Sequence, residues 1–173
     1  RATTKGDVIN RLDRPVEHYY FINRGLVSLV KIMRDGRSVE IGVVGIEGIT
    51  HPHTLFGLNR TATETIIQIP GNASRIKRDA LVRLMAKDEL LRNMLEKYAH
   101  FAYAAVVQTA ACNRFHYIEE RCARWLLVAH DSARGDTFRL THEFLAILLG
   151  VQRAGVTIAA NFLQKAGLIR YSH

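Results

Sequence analysis

From Val8 to about Ile76, apolar residues fall in short stretches rich in Val, Ile, Tyr and Phe, broken by glycine or proline. This is the spacing of strands and turns, not of helices. In GLVSLVKIMRDGRSVEIGVVG, Asp35-Gly36 separates two such stretches and supplies the positive φ angles of a tight hairpin. Thr63 to Ile69, then Pro70-Gly71, then ASRI predict a strand, a turn and a further strand. Several antiparallel strands this close together predict a sandwich, barrel or jelly roll.

The period changes at Arg78. Arg78 to Met85 is helical, and a longer helix runs from about Asp88 to Asn113. Along it Leu91, Leu95, Tyr98, Ala102, Ala105, Thr109 and Cys112 recur at steps of four and three, the seam of a coiled coil. The small side chains allow close approach, and a symmetric partner helix is the economical expectation. The competing outcome is a seam that packs only on its own β domain. Ile118 to Ser132 is a further amphipathic helix with Trp125, Leu126 and Val128 toward a core, followed by the turn-rich linker ARGDTF.

Arg139 to His173, RLTHEFLAILLGVQRAGVTIAANFLQKAGLIRYSH, reads as two helices broken at Gly150. Leu145, Ala146 and Leu149 share one face of the first, and Val151, Val156 and Ala159 complete a small core from the second. That is a helix-turn-helix pattern, whose second helix offers its N-terminal side chains to base edges in the DNA major groove. Here those are Gln152, Arg153, Ala154 and Thr157. Arg153 is able to bond guanine O6 and N7 together, worth about 1–3 kcal/mol of discrimination. Gln152 suits adenine or a phosphate, Thr157 a thymine methyl or a phosphate, and Asn161 and Lys165 further along suit backbone contacts. Gly155 costs about 1 kcal/mol relative to Ala within a helix; it either allows close approach to DNA or is tolerated.

Composition agrees with this reading. The chain has 173 residues, 48% hydrophobic and 23% charged, enough for a core without a metal or disulfide staple. The net charge of +8 favours a polyanion through counterion release, although it would also suit an anionic membrane surface. No apolar run approaches the ~18 residues of a membrane span and no signal-type stretch opens the chain. A cytoplasmic protein with no membrane partner is expected. The start at Arg1, without methionine, suggests a piece of a longer product. Cys112 and Cys122 are too few for a disulfide framework and are expected to be reduced packing residues.

With YYFINRGLVSLV, GRSVEIGVVGIEGI, IEERCARWLLVAHD and LTHEFLAILLGVQRAGVTIAANFLQKAGLIRY in this order, the chain resembles the Crp/Fnr family of bacterial transcription regulators over almost its whole length. The resemblance implies an α+β protein: an N-terminal antiparallel β-roll or jelly roll of cyclic-nucleotide-binding type over residues 1–87, a dimerisation helix over 88–113, and a winged helix-turn-helix over 114–173. It implies a homodimer that reads double-stranded promoter DNA and contacts RNA polymerase. Carried to matching positions, Arg153 falls on a base-reading arginine, and Thr141 and His142 on phosphate-contacting positions. Leu91, Leu95, Tyr98, Ala102, Ala105 and Thr109 would form the dimer seam. Ala154 and Ile158 stand where the best-known members carry a charged reader, so the base preference should differ. The chain stops at Tyr171-Ser172-His173, where the wing would begin, leaving the wing truncated.

The sensor half departs further from the pattern. Cyclic-nucleotide binders carry a Gly-Glu pair and, later, Arg with a small hydroxyl residue. Here Arg60-Thr61-Ala62 echoes the second part, while Glu47-Gly48 reverses the first. Glu47, Arg60 and Thr61 are the candidate effector contacts, for an effector that need not be cyclic AMP. Gly45 with His51 and His53 resembles the opening of a cupin metal motif, and a cupin-like metal or small-molecule-binding protein is the alternative function. Against it, Phe56, Gly57 and Leu58 occupy the place of the glutamate a cupin needs, and Pro52 favours a loop. No metal, haem or cyclic-nucleotide cofactor is expected. No catalytic constellation stands out, so no enzyme is expected.

Overall fold

The computed structural model describes residues 4–57, 59–133 and 135–171. Its first half is an antiparallel sheet of four strands, β1 (Val8–Asn10), β2 (His18–Ile32), β3 (Ser38–Val44) and β4 (Glu64–Lys77), in the order β1-β4-β2-β3. Five helices follow: α1 (Arg78–Met85), α2 (Glu89–Phe115), α3 (Ile118–Ala133), α4 (His142–Leu149) and α5 (Arg153–Lys165). This is the expected α+β order of β-roll, long helix and helix-turn-helix.

Two sequence expectations in the sheet are corrected. The β2–β3 hairpin closes through Met33–Arg37, with Met33 N–H donating to Arg37 O (2.8 Å) and Gly36 N–H to Met33 O (3.0 Å). Only Gly36 has a positive φ (84°) there, while the Asp35 carboxylate accepts from Arg37 N–H (3.1 Å), making a longer loop than a two-residue turn. Pro70-Gly71 does not end a strand: β4 runs through it and pairs with β2 from Glu64 to Lys77. The register shifts between Ile22 and Val27 absorb the irregularity. Gly25 (φ 99°) and Gly71 lie where the two backbones press together; a Cβ on either would strike the opposite strand's carbonyl oxygen. Both strands therefore bend together at a glycine-lined bulge.

Asp88 caps α2 by accepting from Leu91 N–H (3.0 Å). The predicted coiled-coil seam turns inward. Leu95 is 5% exposed and shares a core cluster with Val16, Tyr19, Ile49 and Leu81, while Leu91 and Tyr98 pack against that cluster. Ala102, Ala105 and Thr109 are half-buried, and Arg124 of α3 donates to the Thr109 hydroxyl (3.3 Å). Leu91, Leu95 and Tyr98 of the seam are thus packed by their own chain, while Ala102, Ala105 and Thr109 stay partly exposed. A neighbouring stripe keeps the same steps of four and three and stays exposed: Leu90 (70%), Met94 (61%), Lys97, Phe101 (55%), Ala104, Gln108, Ala111 and Phe115 (77%). Heptad spacing shows that a face meets something; it does not choose between the two faces.

The helical half docks on the roll. Leu26 of β2 joins a core cluster with Cys122, Trp125, Ala129, Leu145 and Val156. No described helix is long and apolar enough by itself to cross a membrane.

Candidate nucleic-acid interface

α4 and α5 are bent 107° apart, within the range of a helix-turn-helix. The bend is built from caps. Thr141 caps α4, its hydroxyl accepting from Phe144 N–H (3.2 Å). Gly150 ends α4 in the left-handed conformation (φ 64°), with its N–H returning to Ile147 O (3.2 Å) and Val151 N–H to Ala146 O (3.0 Å). Leu145, Ala146, Leu148 and Leu149 then bury against Val156, Ala159 and Leu163 of α5. The small core expected from the sequence is present. Arg121 of α3 donates to the Leu149 carbonyl, securing the turn from behind.

This packing leaves the start of α5 facing outward. Gln152 is its N-cap and is exposed, with no side-chain cap bond, so the first N–H groups carry the positive end of the helix dipole. α5 itself contains no acidic residue. Arg153 is 65% exposed, but its Nη1 lies 2.7 Å from Glu143 Oε1 of α4. Glu143 was not singled out by sequence: a partner one helix away leaves no periodic signal. Thr157 is half-buried; its hydroxyl donates to Arg153 O (3.2 Å) and lies 3.1 Å from His142 Nδ1. The His142 ring also stacks edge-on with Tyr171 at 5.0 Å, and Tyr171 donates to Asn161 Oδ1 (2.6 Å). Thr141, His142, Thr157 and Asn161 therefore hold internal bonds. Lys165 ends α5 exposed, and Ala154 and Ile158 are also exposed on this helix.

Gly155 serves packing: a Cβ there would come within 2.9 Å of Ile118 Cδ1 on α3. Within the chain its close approach is to Ile118 of α3. Ser172 and His173, where a wing would begin, lie outside the described residues, as does Leu58.

The candidate effector contacts are dispersed. Glu47 accepts from Gly45 N–H (2.8 Å) beside Tyr98, Arg60 donates to Asp13 O (2.6 Å), and Thr61 is buried with its hydroxyl 3.1 Å from that of Thr63. No described bond joins Glu47 to Arg60 or Thr61. The reversed Glu47-Gly48 order has a steric reason: a Cβ at Gly48 would overlap the Tyr98 hydroxyl. His51 is fully buried, its Nε2 2.5 Å from the Thr65 hydroxyl, and burial pushes its pKa down to about 3, with His53 adding to the effect. Among the described residues no group of three metal-ligating side chains forms. Cys112 and Cys122 are buried free thiols, and burial, then Glu119, pushes the Cys122 thiol up to about 11.

Comparison with known proteins adds to this geometry. Residues 120–173 match the model of a Crp-like helix-turn-helix domain, and residues 1–88 match that of a cyclic nucleotide-binding domain. Among solved structures, FixK2 from Bradyrhizobium japonicum superposes with a TM-score of 0.84 at 18% identity, covering 100% of this chain and 87% of that one. A CRP-family transcriptional regulator from Thermus thermophilus gives 0.80 at 18% identity, covering 100% and 88%. The c-di-GMP-responsive global regulator CLP of Xanthomonas campestris gives 0.77 at 17% identity, covering 100% and 89%. At these identities the likeness is one of fold. No curated protein matches the sequence.

Proposed function

Because the chain belongs to the Crp/Fnr family of transcriptional regulators, we propose that it acts in the cytoplasm as a homodimer whose paired α5 helices read two DNA half-sites. In this reading residues 1–87 form the effector roll, 88–113 the dimerisation helix and 114–173 the DNA-binding unit, which also contacts RNA polymerase. The observation that carries it is the N-terminus of α5: Gln152 and Arg153 stand exposed at the positive end of a helix held 107° from its partner. Arg153 bonds guanine, Gln152 and Thr157 a base edge or phosphate, and Thr141, His142, Asn161 and Lys165 the backbone. Ile158, 64% exposed, offers a thymine methyl contact in place of a charged reader.

A second copy is the occupant assigned to the exposed stripe of α2. Phe101 and Phe115 would otherwise leave large apolar rings in water, and the steps of four and three suit an identical helix. The dimer then sets half-sites about one DNA turn apart.

Selection of bound sequences from random duplex DNA tests the proposal. A two-fold symmetric motif is expected, with specific affinity falling steeply as salt rises. Recovery of no motif, together with salt-independent binding, would remove the DNA-reading role.

A further inference from the structure

Lys5 of the N-terminal segment, Arg24 of β2 and Arg139 of the linker before α4 converge with Gln68 of β4 on one cavity of about 370 Å3. We propose that this cavity binds a small phosphomonoester, its phosphate held by the three cations and its polar body paired with the Gln68 carboxamide.

Two observations point to a ligand independently. Gln68 is only 3% exposed, and neither its Oε1 nor its Nε2 has a hydrogen-bond partner among the described residues. A buried amide unpaired on both atoms is costly, and a ligand presenting an acceptor beside a donor removes the cost. The three cations, for their part, form no ion pair among the described residues. Lys5 is held toward the linker: its ammonium donates to Arg139 O (3.4 Å) and lies 5.1 Å from the Phe144 ring centroid. Arg24 is set beside Gly25, where β2 and β4 press closest.

The donor set selects the ligand class. Three positive charges match a dianion, and planar guanidiniums bond phosphate oxygens in pairs. The volume lies in the range of small-ligand sites, and Pro70 and Phe138 give the cavity an apolar wall.

The site spans two parts of the chain. Gln68 and Arg24 belong to the roll, whereas Arg139 stands two residues before the cap Thr141 that begins α4. A bound phosphomonoester ties the linker to the roll and favours the docked pose of the helix-turn-helix. Only this regulatory consequence rests on the DNA-reading role; binding does not.

Calorimetry on the whole chain with glycerol 3-phosphate and with inorganic phosphate tests the site. Saturable binding is expected, weakened at least about tenfold by Arg24→Ala and by Arg139→Ala. Arg37→Ala, on the exposed hairpin, leaves it unchanged. Gln68→Leu is expected to weaken glycerol 3-phosphate more than inorganic phosphate. If that buried change impairs folding, the two exposed arginine variants still decide. Absence of saturable binding, or binding unaltered in both arginine variants, overturns the proposal. So does a result in which neither phosphate binds while Arg24→Ala and Arg139→Ala lower the salt dependence of DNA binding, since the cations then serve the DNA backbone. Phosphate binding by a chain that fails to bind DNA would sink the DNA-reading role and leave this site standing.

Discussion

Trp125 Nε1 lies 2.8 Å from Glu40 Oε1, and this buried bond joins α3 of the helical half to β3 of the roll. The Ser28 hydroxyl of β2 donates to the other carboxyl oxygen. Glu40 is 8% exposed, and burial pushes its pKa up to about 8, against the opposing pull of Ser28, Trp125 and Arg124. Burial thus disfavours the charged carboxylate at this junction, while the bonds from Ser28 and Trp125 favour it. One titratable group sits where α3 meets the roll.

The folded pKa of Glu40 lies above its unfolded value, so the folded state binds the extra proton between about pH 4.5 and 8. Stability is therefore lost as pH rises through that window. Glu40→Gln keeps the shape and a hydrogen bond from Trp125 while removing the charge. Urea midpoints at pH 5.5 and pH 8 should fall for the parent and change much less for the variant. Parallel slopes for the two proteins would show that Glu40 does not titrate as described.

Gly48→Ala places a methyl group on the Tyr98 hydroxyl. Overpacking of this kind costs about 1–3 kcal/mol. Because ring carbons of Tyr98 would also lie 2.2 and 2.7 Å from that methyl group, Tyr98→Phe should recover little of the loss and Tyr98→Ala more, and double-mutant cycles by chemical denaturation measure both. Additive losses would mean that the two side chains do not meet.

The two faces of α2 should respond differently to substitution. Leu95→Ala removes a core side chain and should cost about 2–5 kcal/mol of stability. Phe101→Glu leaves stability close to the parent and shifts sedimentation at micromolar concentration from dimer to monomer. A Phe101→Glu protein that remained a dimer would place the self-contact elsewhere.

Glu143→Gln frees Arg153 from the carboxylate 2.7 Å away. Both side chains are more than half exposed, so stability should change by no more than about 0.5 kcal/mol. Affinity for the selected operator, read by fluorescence anisotropy, should rise several-fold, because a negative charge facing DNA phosphates is gone. Arg153→Ala should lower specific affinity roughly tenfold or more and relax the preference for guanine. A fall in affinity on Glu143→Gln would make Glu143 a positioning residue for Arg153.

Much of this protein is legible along the chain, because the signals are local. The helix-turn-helix is written in Thr141 as cap, Gly150 as left-handed break and the apolar spacing from Leu145 to Ala159, none of which needs a distant partner to be recognised. The strands announce themselves by β-branched and aromatic stretches, and the +8 charge points to a polyanion. What only the tertiary structure decided are relations across long sequence separations. Pro70-Gly71 reads as a turn until Gly25, on a strand far away in sequence, is found pressed against it. Leu91 and Leu95 read as a dimer seam because period reports a buried face without saying what buries it; the roll does. Arg153 reads as free, and Glu143 holds it. Trp125 and Glu40, 85 residues apart, read as a core aromatic and a strand charge, and become one bond only when α3 folds back onto β3.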